Sequence, residues 1–407
     1  MVTRQENDLL TRVENDAPMG RMLRQLYWIP AILSSRLEPD GPPVRVKLLG
    51  ERFVAYRSTD GRVGFLNEGC PHRGVSLALA RNEGNALRCI FHGWKICISG
   101  KVLEVPNEAA NPEGFKTTVR VRHYPAVEGA GLVWVWLGIG DAPPAPNFEW
   151  MHLPPEQVCA CGLELPSNWL QGVEATIDSS HIAVLHQSHL ASSPTDMAAT
   201  TVNQAVRYKF EDTAYGFRAA ALREAPDGSC VARVTEFIMP YYGLIPPIAT
   251  GKSQDRTVII AVPIDDTHLI QWYIHYNTKR PMDSVRRTQR ANTWPMAGGV
   301  VEDAAKYWGQ NRRLMRSGNH TGFTEIVIED FVTQVSMGPI VDRSEEYLCS
   351  ADQAIVRVRR QLLEAVRSFE SGELPRSALL ESRDHSTITA TGGRLESMAS
   401  DWRCLEP

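Results

Sequence analysis

Cysteine and histidine alternate within two short loops of this 407-residue chain. Cys70-Pro-His72-Arg-Gly is followed, after sixteen intervening residues beyond His72, by Cys89-Ile-Phe-His92-Gly-Trp. Each loop thus offers one thiolate and one imidazole. Zinc fingers place Cys with Cys and His with His, so the arrangement fits better a [2Fe–2S] cluster carrying two cysteines on one iron and two histidines on the other. Gly74 and Gly93 let the backbone turn closely around an object of that size. The flanking sequence reads as short β-strands at 44–49, 52–57, 63–66 and 132–137, with hairpin signals at Gly50-Glu51 and Ser58-Thr-Asp-Gly61.

Residues 27–140 are therefore expected to form a small all-β domain. A helical, amphipathic segment over 1–26 precedes it, patterned by Leu9, Leu10, Val13, Met22, Leu23 and Leu26. The proline-rich stretch 138–146 marks a boundary. That leaves 141–407 as a second domain, as expected for a chain too long for one hydrophobic core.

Eight cysteines spread over this length do not form a disulfide scaffold. No apolar run approaches the ~18 residues of a membrane span, and the start is polar without a signal-peptide core. The expected compartment is the cytoplasm, where paired Cys and His read first as metal ligands. A formal net charge of −4 argues against a nucleic-acid partner.

A second candidate centre lies about a hundred residues further on, in Glu174-Ala-Thr-Ile-Asp178-Ser-Ser-His181-Ile-Ala-Val-Leu-His186. Two imidazoles plus a carboxylate from elsewhere form the facial ligand set of non-haem Fe(II) oxygenases. Asp178 and His181 share a helix face, but His181 and His186 sit about 140° apart on a regular helix. Both reach one ion only if the helix ends or loosens between them. The carboxylate is sought in Thr324-Glu325-Ile-Val-Ile-Glu329-Asp330. Glu329 and Asp330 face about 100° apart on a helix, so only one points inward.

With both motifs present, the chain resembles the Rieske non-haem iron aromatic-ring-hydroxylating oxygenases. Its two loops match that family's cluster loops, and Asp178-x-x-His181-x4-His186 matches its iron motif. Val75 and Phe91 stand where respiratory Rieske proteins carry disulfide cysteines. Ile177-Asp-Ser-Ser-His181, Arg207-Tyr-Lys-Phe-Glu-Asp-Thr213, Tyr215-Gly-Phe and Ser336-Met-Gly-Pro339-Ile-Val-Asp-Arg-Ser344 are closest to the branch of phthalate and 3-chlorobenzoate dioxygenases.

The resemblance implies an α+β chain: an all-β Rieske domain, then a helix-grip (START-like) antiparallel sheet with a long C-terminal helix crossing it over a cavity. Strand-like alternation at 206–210, 216–222, 232–238, 257–262 and 269–276 agrees, and 357–368 suits the helix. The tail from Gly372 reads as weakly structured. By the same resemblance, Cys70, His72, Cys89 and His92 hold the cluster, and His181, His186 and Asp330, in preference to Glu329, hold Fe(II). Asp178 bridges His181 to His92 of a neighbouring copy in a head-to-tail homotrimer or stacked homohexamer.

The implied reaction is cis-dihydroxylation of a benzoate-type aromatic carboxylate by O₂. Its NADH-derived electrons come from a separate reductase, since this chain has no nicotinamide or flavin motif. Arg207 would grip the carboxylate bidentately, with a hydrogen bond from Ser179. The resemblance also implies that phthalate-type members hold the second carboxylate with an Arg in the segment corresponding to about 239–247; here that segment has no cation, which favours a monocarboxylate such as 3-chlorobenzoate over phthalate. The alternatives are a monooxygenase or O-demethylase of an aromatic acid, using the same ligands, and an electron carrier whose second domain only binds ligand. His189, His275 and Cys97 receive no role.

Overall fold

The computed structural model describes residues 2–191, 197–247, 255–284, 304–379 and 384–405. Two compact units emerge: Gly20–Ala145, and Met1–Met19 together with Pro146–Pro407. The first helix, α1 (Arg4–Thr11), opens with a reciprocal cap between Thr3 and Glu6. The second, α2 (Pro18–Leu26), contains the division between the units.

The unit Gly20–Ala145 holds three small antiparallel sheets. The strands are β1 (Ile29–Leu33), β2 (Val44–Leu48), β3 (Glu51–Arg57), β4 (Val63–Asn67), β5 (Arg81–Glu83), β6 (Ala86–Arg88), β7 (Lys95–Cys97), β8 (Val102–Glu104), β9 (Ala126–Gly129) and β10 (Leu132–Val135). They pair as β2-β3-β4, β5-β6-β7-β8 and β1-β10-β9. A short helix, α3 (Pro112–Thr118), is capped by Asn111. Val54, Leu66, Leu77, Leu87, Trp94 and Ile96 form a buried cluster that includes Cys70 and Cys89. Both thiols thus belong to the apolar core, while His72 and His92 keep partial access to solvent.

The other unit is built on one antiparallel sheet in the order β12-β18-β17-β16-β15-β14-β13. Its strands are β12 (Val158–Leu165), β13 (Arg207–Asp212), β14 (Gly216–Glu224), β15 (Cys230–Ile238), β16 (Tyr242–Ile245), β17 (Arg256–Pro263) and β18 (Leu269–Tyr276), with β11 (Asn147–Phe148) outside the sheet. Side chains alternate between faces along a strand. Register therefore places Tyr208, opposite Ala221, on the same face as Arg233, which is also opposite Ala221. Thr235 of β15 shares that face by its spacing from Arg233. The reverse face carries Ala220, Leu222, Ala232 and Val234 in a buried cluster.

Helix α4 (Trp169–Ile177) packs on β16, β17 and β18. Gly243 in β16 makes the close approach possible, because a Cβ there would collide with Thr176. Short helices follow: α5 (Ile182–Leu185), α6 (Gln187–Leu190), α7 (Met197–Val202) and α8 (Arg312–Arg316), and then the longer α9 (Ile326–Ser336) and α10 (Gln353–Glu370). Helix α4 is seated on the sheet, and α10 packs against α1 and α4 and reaches β13 and β14, where Arg357 lies over the Phe210 and Phe217 rings and Gln361 Nε2 donates to the Gly216 carbonyl at 3.2 Å. An ion network pins α4 in place: Glu174 accepts from Arg343 at 2.8 Å and from Arg359 at 2.7 Å, both arginines being buried.

The expectation of a weakly structured tail from Gly372 is corrected by the described part of that segment. Beyond 380–383, which lie outside the described residues, β19 (Asp384–His385) pairs with β11 and β20 (Thr391–Leu395) pairs with β15. Leu395 and Trp402 complete the reverse-face cluster. A Gly-rich strand that pairs with residues some 160 positions earlier gives no local signal. Among the described residues, no helix is long and apolar enough to cross a membrane.

Candidate metal centres

The two cluster loops share one turn. The Gly74 N–H donates to the Cys70 carbonyl at 2.8 Å, and the Gly93 N–H to the Cys89 carbonyl at 3.0 Å. Both glycines are left-handed, with φ of 77° and 75°, a conformation that costs a residue bearing a Cβ. The turns bring His72 Nδ1 and His92 Nδ1 to 3.1 Å. The Trp94 ring stacks on His72, centroids 4.7 Å apart, and its indole N–H donates to Asn107 at 2.7 Å.

These four side chains fit a Cys₂His₂ [2Fe–2S] cluster on chemical grounds. Burial, together with the neighbouring Cys89 thiol, pushes the Cys70 thiol up, so Cys70 becomes a thiolate readily only against a metal. Desolvation, then His72 and Arg73, hold His92 below its usual range, favouring the neutral imidazole that binds metal. Two nitrogen ligands at about 2.0–2.1 Å from one ion stand about 3.3 Å apart at a tetrahedral angle, close to the spacing found.

At the second centre the helical run is interrupted before His181 and again at His186, with the single turn α5 between them. Helix α4 stops at Ile177, Asp178 caps it in extended conformation (φ −70°, ψ 106°), and α5 begins only after His181. His186 occupies the junction of α5 and α6 (φ −95°, ψ 12°). Across from it, α9 directs Asp330 Oδ1 to 3.1 Å from His186 Nε2 and 3.5 Å from His181 Nε2. Donor atoms of His181, His186 and Asp330 all lie within 4.8 Å of one another, a grouping that could hold a metal ion.

Glu329 does not join that group. It stands behind His186, with Oε2 at 2.7 Å from Nδ1. Burial pushes His186 down, but its hydrogen bonds to Asp330 and Glu329 outweigh that and lift it to about 9. Asp178 Oδ2 lies 3.4 Å from His181 Nδ1, and Oδ1 accepts the Ser180 N–H at 2.6 Å. Burial raises the Asp178 carboxyl, and the bonds to His181 and Ser180 bring it below its usual value.

A cavity of about 130 Å³ adjoins the triad, lined by Ser179, Ile182, Leu190, Arg233, Thr235, Ile245, Ile259 and Ile326 beside Asp178, His181, His186 and Asp330. Ser179 is buried there, its N–H donating to Tyr208 Oη at 2.9 Å. The expected cavity-facing role of Arg207 is corrected. Arg207 is exposed and lies opposite Leu222, whose side chain belongs to the reverse-face cluster. The cavity's arginine is Arg233, 4% exposed, with Nη1 and Nη2 donating to the Pro247 and Pro246 carbonyls at 3.2 Å. Burial, and secondarily Arg223, lower its guanidinium to about 10. The sequence signal that singles it out is a lone cation flanked by apolar and small residues, in Cys230-Val-Ala-Arg233-Val-Thr235.

Residues 27–125 match the family described as the Rieske [2Fe-2S] domain, and 135–407 match the LigXa C-terminal domain-like family. The phthalate 4,5-dioxygenase oxygenase subunit of Pseudomonas putida is 37% identical over 92% of this chain and 88% of its own length. The 3-chlorobenzoate-3,4-dioxygenase oxygenase subunit of Comamonas testosteroni is 35% identical over 99% and 97%. The fold is shared with the solved structure of Pseudomonas putida CBB5 NdmA, at TM-score 0.63 and 19% identity over 95% of this chain and all of that one. Paired cluster loops, a two-histidine-one-carboxylate grouping and relatives matched along nearly the whole chain have one explanation: this protein belongs to the Rieske non-haem iron ring-hydroxylating dioxygenases, as an oxygenase subunit with a [2Fe–2S] cluster and Fe(II).

Proposed function

We propose that the chain cis-dihydroxylates a single-ring aromatic monocarboxylate of the 3-chlorobenzoate type. The observation that carries this is Arg233, which shares one cavity with His181, His186 and Asp330. Its guanidinium suits bidentate capture of a carboxylate, with Thr235 and Ser179 alongside. Isoleucines 182, 245, 259 and 326 supply an apolar wall for the ring. A cavity of about 150 Å³ accommodates benzene, so about 130 Å³ suits one ring. Arg233 is the one arginine or lysine among the described lining residues. A second carboxylate would remain buried without a counter-charge.

Iron at the triad supplies oxygen activation, and the cluster supplies electrons received from a separate reductase. The overall balance is arene plus O₂, two electrons and two protons giving the dihydrodiol. This chain's share is to hold the ring edge near the triad, to exclude bulk water, and to fix the ligands. Asp178, at 3.4 Å from His181 and 17% exposed in its side chain, is suited to reach His92 of a neighbouring copy in a head-to-tail trimer or stacked hexamer in the cytoplasm.

The test is a single turnover of the reduced protein under ¹⁸O₂ with a panel of benzoates. The expected product carries two labelled oxygens on adjacent carbons, and steady-state turnover with a reductase and NADH should give a kcat/KM for 3-chlorobenzoate above that for phthalate. One labelled oxygen, or loss of a methyl group as formaldehyde from a methoxybenzoate, would establish the monooxygenase alternative.

A further inference from the structure

The carboxylate beside Asp330 occupies an unusual position for an acidic residue on a helix. Glu329 is 1% exposed, and among the described residues no arginine or lysine pairs with it. Both of its oxygens are nevertheless used. Oε2 lies 2.7 Å from His186 Nδ1, on the side of the ring opposite the Nε2 that faces Asp330. Oε1 accepts the Thr321 hydroxyl and stands 3.5 Å from His189 Nε2. Thr321 sits in a turn that Asn319 closes by accepting the Gly322 N–H at 2.6 Å. That turn is tied to α6 by the His320 N–H, which donates to Ser188 Oγ at 2.7 Å.

A solvated helix surface does not explain a carboxylate buried this deeply. We propose that Glu329, held by Thr321, is the positioning residue of the iron site. Its Oε2 accepts the Nδ1 proton of His186, which fixes the ring's tautomer and angle and leaves the Nε2 lone pair directed between His181 and Asp330. A carboxylate behind a ligand histidine also makes that ligand more basic. The inference rests on the assignment of His186 as an iron ligand, and its test separates the two.

The experiment measures Fe(II) binding to iron-depleted but cluster-intact protein by calorimetry, with the rate of Fe(II) loss from the reloaded protein to a chelator and the thermal midpoint. Removing an outer partner of a ligand costs about 10–100-fold in metal affinity. Glu329→Ala is therefore expected to weaken Fe(II) binding by about that factor, with cluster absorbance unchanged. Glu329→Gln, which keeps one acceptor, recovers part of the loss. Thr321→Val, which leaves the carboxylate in place but unanchored, lowers the midpoint modestly and speeds iron loss several-fold at temperatures where the variant remains fully folded, with cluster absorbance unchanged. His186→Ala is the control. If it loses iron while Glu329→Ala and Thr321→Val bind as tightly as wild type, the positioning role is overturned. If His186→Ala itself binds Fe(II) normally, the ligand assignment fails first.

Discussion

Arg207 and Tyr208 are adjacent in β13 and serve opposite faces of the sheet. Tyr208 Oη accepts the Ser179 N–H beside the iron-binding segment, whereas Arg207 stands exposed opposite Leu222. The charge recognition proposed for the cavity therefore rests on Arg233, which lines it. Arg233→Ala should lower kcat/KM for a benzoate by about ten- to a hundredfold, the range for losing hydrogen bonds to a charged group of about 1.5–3 kcal/mol. Arg207→Ala should change it less than about threefold. The reverse ranking in steady-state kinetics would return substrate recognition to the outer face.

Metal content distinguishes the two centres. The reconstituted chain should hold about three irons, two in the cluster and one at the triad. His181→Ala should fall to about two with the cluster's visible absorbance intact. A wild-type count of about two would instead describe an electron carrier.

Asp178 gives a different outcome, because it touches His181 without belonging to the metal-binding group. Asp178→Asn should retain both centres. Reoxidation of the reduced cluster by O₂ in the presence of substrate should slow by about 10–100-fold, as followed by stopped-flow absorbance. An unchanged rate would remove the proposed bridge between copies.

The anchor of α4 should be sensitive to acid. Burial pushes the Glu174 carboxyl up, but Arg343 and Arg359 outweigh that and hold it below its usual range. A carboxyl with a lower pKa folded than unfolded stabilises the native chain above the unfolded pKa of about 4.3, and the contribution fades as pH falls through the folded value. Glu174→Gln leaves two buried guanidinium groups short of a counter-charge, at a cost of about 3–5 kcal/mol near neutrality. Its deficit in thermal midpoint should hold from pH 7 down to about pH 4.3 and shrink as pH falls below that value. A deficit that stays constant below about pH 4.3 as well would show that packing, not charge, holds α4.

The cluster loops and the two iron-site histidines were legible in the linear chain because their chemistry is local. Ligands two or three residues apart, with a glycine four after each cysteine, specify a turn without reference to anything distant. The five-residue gap between His181 and His186 likewise required a helix to end within it, which the fold supplies at His186, where α5 stops and α6 starts. A period of two reveals that a strand has two faces but carries no label for which one is inside. That depended on pairing Arg207 with Leu222, on α4 covering one face, and on Leu395 and Trp402 covering the other. Only the assembled sheet could turn Arg207 outward, place Arg233 beside the triad, and set Glu329 behind His186, because each is fixed by contacts between residues far apart in sequence.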